Sequence, residues 1–253
     1  MDELDLFLFL GIEGSGRKTS VLDIIEGYYS KEKKVSILLH ESESFKMDEH
    51  DRIEVILYRM SPGKILFPNG IPSNNLIFIL GPGRGSCIEF LENVRDWTVS
   101  KKIKVSKIIT MAHMEKILAH NKVARWYDAA IHFSDIIFLN NREPKKDKEI
   151  RKFIERYTQD LSMPCLFEFV KKDRIKNPAL AIEGSPRRTS QAFDEQEFDM
   201  DLSDVIITDE NDENLGDDEA FLSEFQNAAE PYFEKLPNGR RIKEIPDITE
   251  FLS

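Results

Sequence analysis

Seven short apolar runs recur along the chain, at residues 4–10, 35–39, 53–58, 76–80, 105–111, 136–139 and 166–170, each bounded by Gly, Pro, Asn or charged residues. Several are almost continuous hydrophobics, the pattern of strands covered on both faces. Between them lie longer amphipathic stretches near 18–30, 87–98, 121–133 and 146–161, which predict helices. Repeated strand-then-helix order predicts an α/β fold with a mainly parallel sheet. Ligands of such sheets sit beyond the carboxyl ends of the strands, so the loops there are where chemistry is to be sought.

After Gly184 the alternation stops, and charge accounts for the change. The 253-residue chain carries a net charge of −11, and thirteen of its acidic residues fall between 194 and 219, a stretch without Lys or Arg; the remainder carries +2. The organisation expected is a folded domain over 1–184, an acidic, disordered linker over 185–219, and a C-terminal helix and tail over 220–253. Phe221, Leu222, Phe225 and Phe233 are spaced to share one face of a helix over 220–236. With 41% apolar residues the chain can bury a core, which excludes a wholly disordered protein. No basic excess exists to bind nucleic acid or an anionic membrane. The opening MDELDLFLFLG has an acidic start and too short an apolar run for a signal peptide or membrane span, so a cytoplasmic protein is expected. Cys87 and Cys165 are too few for a metal cluster or a disulfide framework and read as two buried thiols. A calcium loop over 211–222 fails, because Leu215 and Leu222 fall on ligand positions. Arg187-Arg188-Thr189-Ser190 resembles a basophilic kinase substrate, but so short a pattern is ordinarily coincidence.

The strongest local feature follows the first apolar run. Gly11-Ile-Glu-Gly-Ser-Gly-Arg-Lys-Thr-Ser20 places glycines at 11, 14 and 16 between a strand and a helix start. In that arrangement backbone N–H groups face a phosphate and the helix dipole favours its charge. Against G-x-x-x-x-G-K-[ST], Gly11 and Gly16 fit, while Arg17 stands for the lysine and Lys18 for the Ser/Thr. Arg17 keeps the positive charge, but its planar fork needs adjustment to fit a lysine-sized loop. The competing reading is a glycine-rich turn without a ligand. Gly81-Pro-Gly-Arg-Gly-Ser86 also follows a strand, but it lacks the third glycine of a dinucleotide fingerprint and Pro82 removes an N–H; it reads as a switch-like turn.

Seven segments in order, covering roughly residues 4–182, resemble the CobW/HypB/UreG-type P-loop GTPases. FLGIEGSGRKTSVL is similar to the family's G-x-x-G-x-G-K-T-T loop. VSILLHESESFKMD at 35–48 resembles its N-E-x-G…D switch segment, with Glu41 and Asp48 matching. SPGKILF at 61–67 stands where the G-C-x-C-C metal motif lies, with Lys64, Leu66 and Phe67 replacing the cysteines. NLIFILGPGRGS at 75–86 resembles the strand before E-x-x-G, with Leu80 for the acid. VSKIITMAHM at 105–114 resembles the V-D-A strand, with His113 near the aspartate's place. FSDIIFLNNRE at 133–143 is similar to A-D-x-x-x-x-N-K-x-D, keeping Asp135 and Asn140 but reading Asn141 and Glu143. KNPALAI at 176–182 is similar to the closing N-P-x-A-x-I.

The resemblance implies a three-layer P-loop NTPase sandwich and GTP, or another nucleotide, as ligand with Mg²⁺. The residues it assigns are Gly11, Gly14, Ser15, Gly16, Arg17, Lys18 and Thr19 around the phosphates, Asn140 and Glu143 at the base, and Glu41 and Asp48 near Mg²⁺. No catalytic residue is assigned. The departures fall on the chemistry: Lys18 cannot hold a metal and Leu80 cannot assist water, so weak or absent GTP hydrolysis and a regulatory or scaffold role are expected, with a protein partner. No zinc site is expected without the thiolates. The rivals are an interaction module that retains the fold without nucleotide, and an active GTPase metallochaperone. His40, His113 and His132 lack metal-ligand spacing and read as structural or surface residues, and Trp97 and Trp126 as core or interface residues.

Overall fold

The computed structural model describes residues 4–252 except 46–50, 62–63, 68–71, 73, 173 and 195–229. All seven predicted strands are present: β1 (Asp5–Leu10), β2 (Val35–His40), β3 (Ile53–Ser61), β5 (Leu76–Leu80), β6 (Val105–His113), β7 (Ile136–Asn140) and β8 (Leu166–Phe169). A short eighth, β4 (Lys64–Leu66), turns back antiparallel on β3 at the place read as the lost cysteine motif. The sheet runs β4-β3-β2-β5-β1-β6-β7-β8 and is parallel apart from β4.

Alternation along β1 separates the two cores. Leu6, Leu8 and Leu10 face the layer formed by α2 (Cys87–Lys101), α4 (Asn121–His132) and α5 (Asp147–Glu155), while Phe7 and Phe9 face α1 (Arg17–Tyr28) and α6 (Ala179–Ile182). A further short helix, α3 (Met114–Ala119), directly follows β6. Each buried Leu or Phe contributes about 1.5–3 kcal/mol, so a sheet covered on both faces is the arrangement these runs favour. The result is a three-layer α/β sandwich of the P-loop NTPase class, as expected. Both cysteines are buried free thiols. Trp97 packs against Phe67, and Trp126 is buried with its N–H on the Gly85 carbonyl at 2.9 Å. Among the described residues no helix is long and apolar enough to cross a membrane.

Beyond residue 184 the described chain stays on the domain. Residues 185–194, assigned by composition to the linker, cross the amino ends of β6 and β7. Arg188, 8% exposed, reaches Asp135 at 3.5 Å and Asp194 at 2.6 Å, and the Arg187 N–H donates to the other Asp135 oxygen at 2.5 Å. Of the kinase-like tetrapeptide, Arg188 and Ser190 are buried and Arg187 and Thr189 exposed. Residues 230–252 pack on the α2/α4 layer through Tyr232, Phe233, Ile248 and Leu252. Of the expected helix over 220–236, residues 220–229 lie outside the described set. Residues 231–233 form a turn and Lys235 a β-bridge to Arg241 instead, with Pro231 and the Pro237-Asn238-Gly239 turn breaking helical continuity.

Candidate functional site

The chain leaves β1 toward β2 on one side and leaves β6 toward β7 on the other, so a crevice opens between the carboxyl ends of β1 and β6. The glycine loop 11–16 lies over it. Gly16 caps α1 at φ +92°, and a Cβ there would stand 2.6 Å from the Asn140 amide nitrogen, so both the turn and the close approach require glycine. With glycine at the cap no side chain closes the helix start, leaving first-turn N–H groups for an anion.

Tyr127 fixes this loop, and sequence reasoning did not single it out. Its hydroxyl accepts from the Ile12 N–H at 3.3 Å and the His113 N–H at 3.1 Å, and donates to the Met111 carbonyl at 2.9 Å. The residue is wholly buried, and burial pushes its pKa up to about 12. The ends of β1 and β6 are thereby joined through one oxygen. Nothing in the spacing signals this, because Tyr127 and Ile12 are 115 residues apart.

Two polar atoms in the crevice are buried without a hydrogen-bond partner, Ser15 Oγ and His113 Nδ1. Ser15 Oγ points into the loop beside Gly11 and lies near the Tyr127 hydroxyl, but that hydroxyl has already used its one proton and accepted two bonds. His113 lies against Gly14, and burial, then the Lys116 charge, lowers its pKa below the ordinary 6.5, so its ring is neutral at pH 7.

The expected phosphate residues are brought together, but by a partner from the chain itself. Arg17, 3% exposed, reaches across the loop to the Gly81 carbonyl and to Glu43 Oε1 at 2.9 Å. Lys18 meets Glu43 Oε2 at 2.9 Å and the Ser44 carbonyl at 2.6 Å. The Gly83 N–H also donates to Glu43 Oε1, at 2.7 Å. Burial alone would raise the Glu43 carboxyl, but the Arg17 charge and the bonds from Lys18, Arg17 and Gly83 hold it below the ordinary 4.5. Glu43 belongs to the switch-like segment, where aligning Glu41 puts it on the motif's glycine, and it was not among the assigned residues.

The remaining assigned residues are dispersed. Thr19 is exposed on the first turn of α1. The Asn140 amide donates to the Ser15 carbonyl at 3.1 Å, tying β7 to the glycine loop. Glu143 is exposed and pairs with Lys146 at 3.1 Å. Asn141 takes a left-handed backbone conformation, φ +51°, with its Oδ1 buried and unpartnered. Glu41 pairs with Arg59 at the surface, and Asp48 lies outside the described residues. The acidic side chains described near the loop are already paired, Glu43 with two cations and Glu41 with a third, and β5 ends in Leu80. Among the described residues no three His, Cys, Asp or Glu lie together as candidate metal ligands. His40 meets Ser42 at 2.7 Å, and His132 meets Glu230 at 3.0 Å.

Sheet order, glycine loop and helix start together define a P-loop NTPase type of domain. No protein-family model matches the chain, and no curated protein matches it. Among solved structures it is similar to zinc-bound YjiA GTPase from E. coli, at 13% identity and a TM-score of 0.46 over 74% of this chain and 67% of that one. It is also similar to a zinc-bound triple mutant of YjiA GTPase, at 13% identity and a TM-score of 0.45 over 77% and 69%. Likeness at this level concerns overall architecture, and no functional step rests on it.

Proposed function

We propose that this chain is a P-loop domain that binds the phosphates of a GTP-type nucleotide and hydrolyses it weakly or not at all, serving a regulatory or scaffold role toward a protein partner. The observation that carries the reading is the unsatisfied crevice. Ser15 Oγ and His113 Nδ1 are buried without partners beside open N–H groups of a helix start. An unpaired buried polar group costs about 1–3 kcal/mol, which a bound phosphate or sugar hydroxyl would recover. Weak turnover follows from the donor set, because hydrolysis by water needs groups that orient the water and neutralise charge, and Leu80 and Lys18 supply no acid or metal ligand. Arg17 and Lys18 supply cationic charge in the place of a metal.

Titration with a fluorescent guanine nucleotide, with and without Mg²⁺, tests this. Saturable binding is expected in both conditions. No binding at high micromolar protein refutes the nucleotide reading, and turnover matching an intact GTPase refutes the loss of catalysis.

The interaction-module reading has one observation in its favour: with Arg17 and Lys18 already neutralised by Glu43, the loop is electrostatically complete without a ligand. Full partner binding by Arg17→Glu protein that no longer binds nucleotide would favour it.

A further inference from the structure

The geometry points to a regulation of the loop site, resting on the phosphate-binding reading above: the Glu43 carboxylate is an internal anion that keeps the site closed until the terminal phosphate of a ligand takes over its contacts. One carboxylate holds a guanidinium at 2.9 Å, an ammonium at 2.9 Å and a backbone N–H at 2.7 Å. Two cations and an oriented N–H form the donor set that a phosphate oxygen recruits. Those donors come from the first turn of α1, after β1, and from the loop after β5, both at the carboxyl edge of the sheet. Glu43 reaches them from the loop after β2.

The fit is close. A Cβ at Gly83 would stand 2.3 Å from the Arg17 guanidinium and 2.9 Å from the Glu13 nitrogen, so Gly83 is what lets the two donor segments meet. The Glu13 N–H donates to the Gly83 carbonyl at 3.0 Å, closing that junction from the other side. Glu43 is the member free to leave. Arg17 is anchored on the Gly81 carbonyl and Gly83 on Glu13, whereas Glu41, Ser42 and Ser44 beside Glu43 are exposed, and that stretch is tied by the Glu41 N–H on the Tyr58 carbonyl, the Glu43 N–H on the His40 carbonyl, Phe45 on the core and the Lys18 bond to the Ser44 carbonyl, the last of which a phosphate taking Lys18 would also release. A phosphate brings more charge and more acceptor oxygens than a carboxylate, so it satisfies the same donors without the side chain.

When the binding-competent form is only a fraction of the molecules, apparent affinity falls by that fraction, so a plug closed nine-tenths of the time weakens binding about tenfold. Glu43→Gln keeps the size and removes the charge. Wild-type and E43Q proteins are titrated with a fluorescent guanine nucleotide, and with inorganic triphosphate as a base-free competitor. E43Q is expected to bind both about tenfold more tightly. In parallel, hydrogen exchange of residues 41–45 is followed in the wild-type protein with and without triphosphate, a measurement that needs no variant. Faster exchange on binding is expected, matching that of ligand-free E43Q. Equal affinities in the two proteins, or triphosphate binding that leaves 41–45 as protected as before, overturn the plug while leaving phosphate binding standing. Binding by neither protein overturns the phosphate reading and the plug with it.

Discussion

Replacing Tyr127 with Phe removes one oxygen atom and leaves the ring packed against Trp126, whose centroid is 5.0 Å away at 76°. The change is therefore confined to hydrogen bonding. Two backbone donors, at Ile12 and His113, and one acceptor, at Met111, lose their partner inside a fully buried site. Each group so stranded costs about 1–3 kcal/mol. The 3.3 Å contact to Ile12 is the longest and weakest, so the sum belongs in the lower part of the range, about 3–5 kcal/mol. With a urea slope of about 2–3 kcal/mol per molar, the unfolding midpoint falls by roughly 1–2.5 M. Because the Tyr127 pKa is pushed up to about 12, the hydroxyl is neutral through the working range and the loss is the same at pH 6 and pH 9. A midpoint shift below about 0.3 M would refute the reasoning, since it would mean the three groups find other partners at almost no cost.

Arg188→Met leaves Asp135 buried without its cation. Because Asp135 keeps the N–H bonds from Ile108 and Arg187, the loss falls near the lower end for a broken buried pair, about 3 kcal/mol by urea unfolding, with faster tryptic cleavage after Arg187. Glu230 is held below the ordinary 4.5: burial alone would raise it, but bonds to His132 and Ser190, the His132 charge and the Tyr232 N–H outweigh burial. A lowered carboxyl stabilises the fold fully above its unfolded value, and that stability drains away as pH falls through the lowered one. Melting temperature is accordingly expected to drop between neutral pH and pH below 4.5 in the wild type and to drop less in Glu230→Gln; parallel curves would contradict this.

The local grammar of the chain was readable without a structure. Every long apolar run became a strand, because burial on two faces leaves few positions for polar residues. The glycines at 11, 14 and 16 announced a loop able to face an anion. β4 and α3 escaped because segments of three and six residues carry too little periodicity to read. Residues 185–194 read as linker because composition weighs their charge, whereas Arg188 there is buried against Asp135, 53 residues away.

What the sequence determined by itself was therefore the alternation of strands and helices, an α/β class with a mainly parallel sheet, and the loop at which to look, all of which follow from spacing within a few turns of chain. Only the tertiary structure decided which charges meet. Arg17 and Glu43 are 26 residues apart and Gly83 another 40, and no periodicity links them. They converge because a parallel sheet gathers the ends of β1, β2 and β5 at one edge. There the chain's own carboxylate meets the cations that its sequence had appeared to reserve for a phosphate.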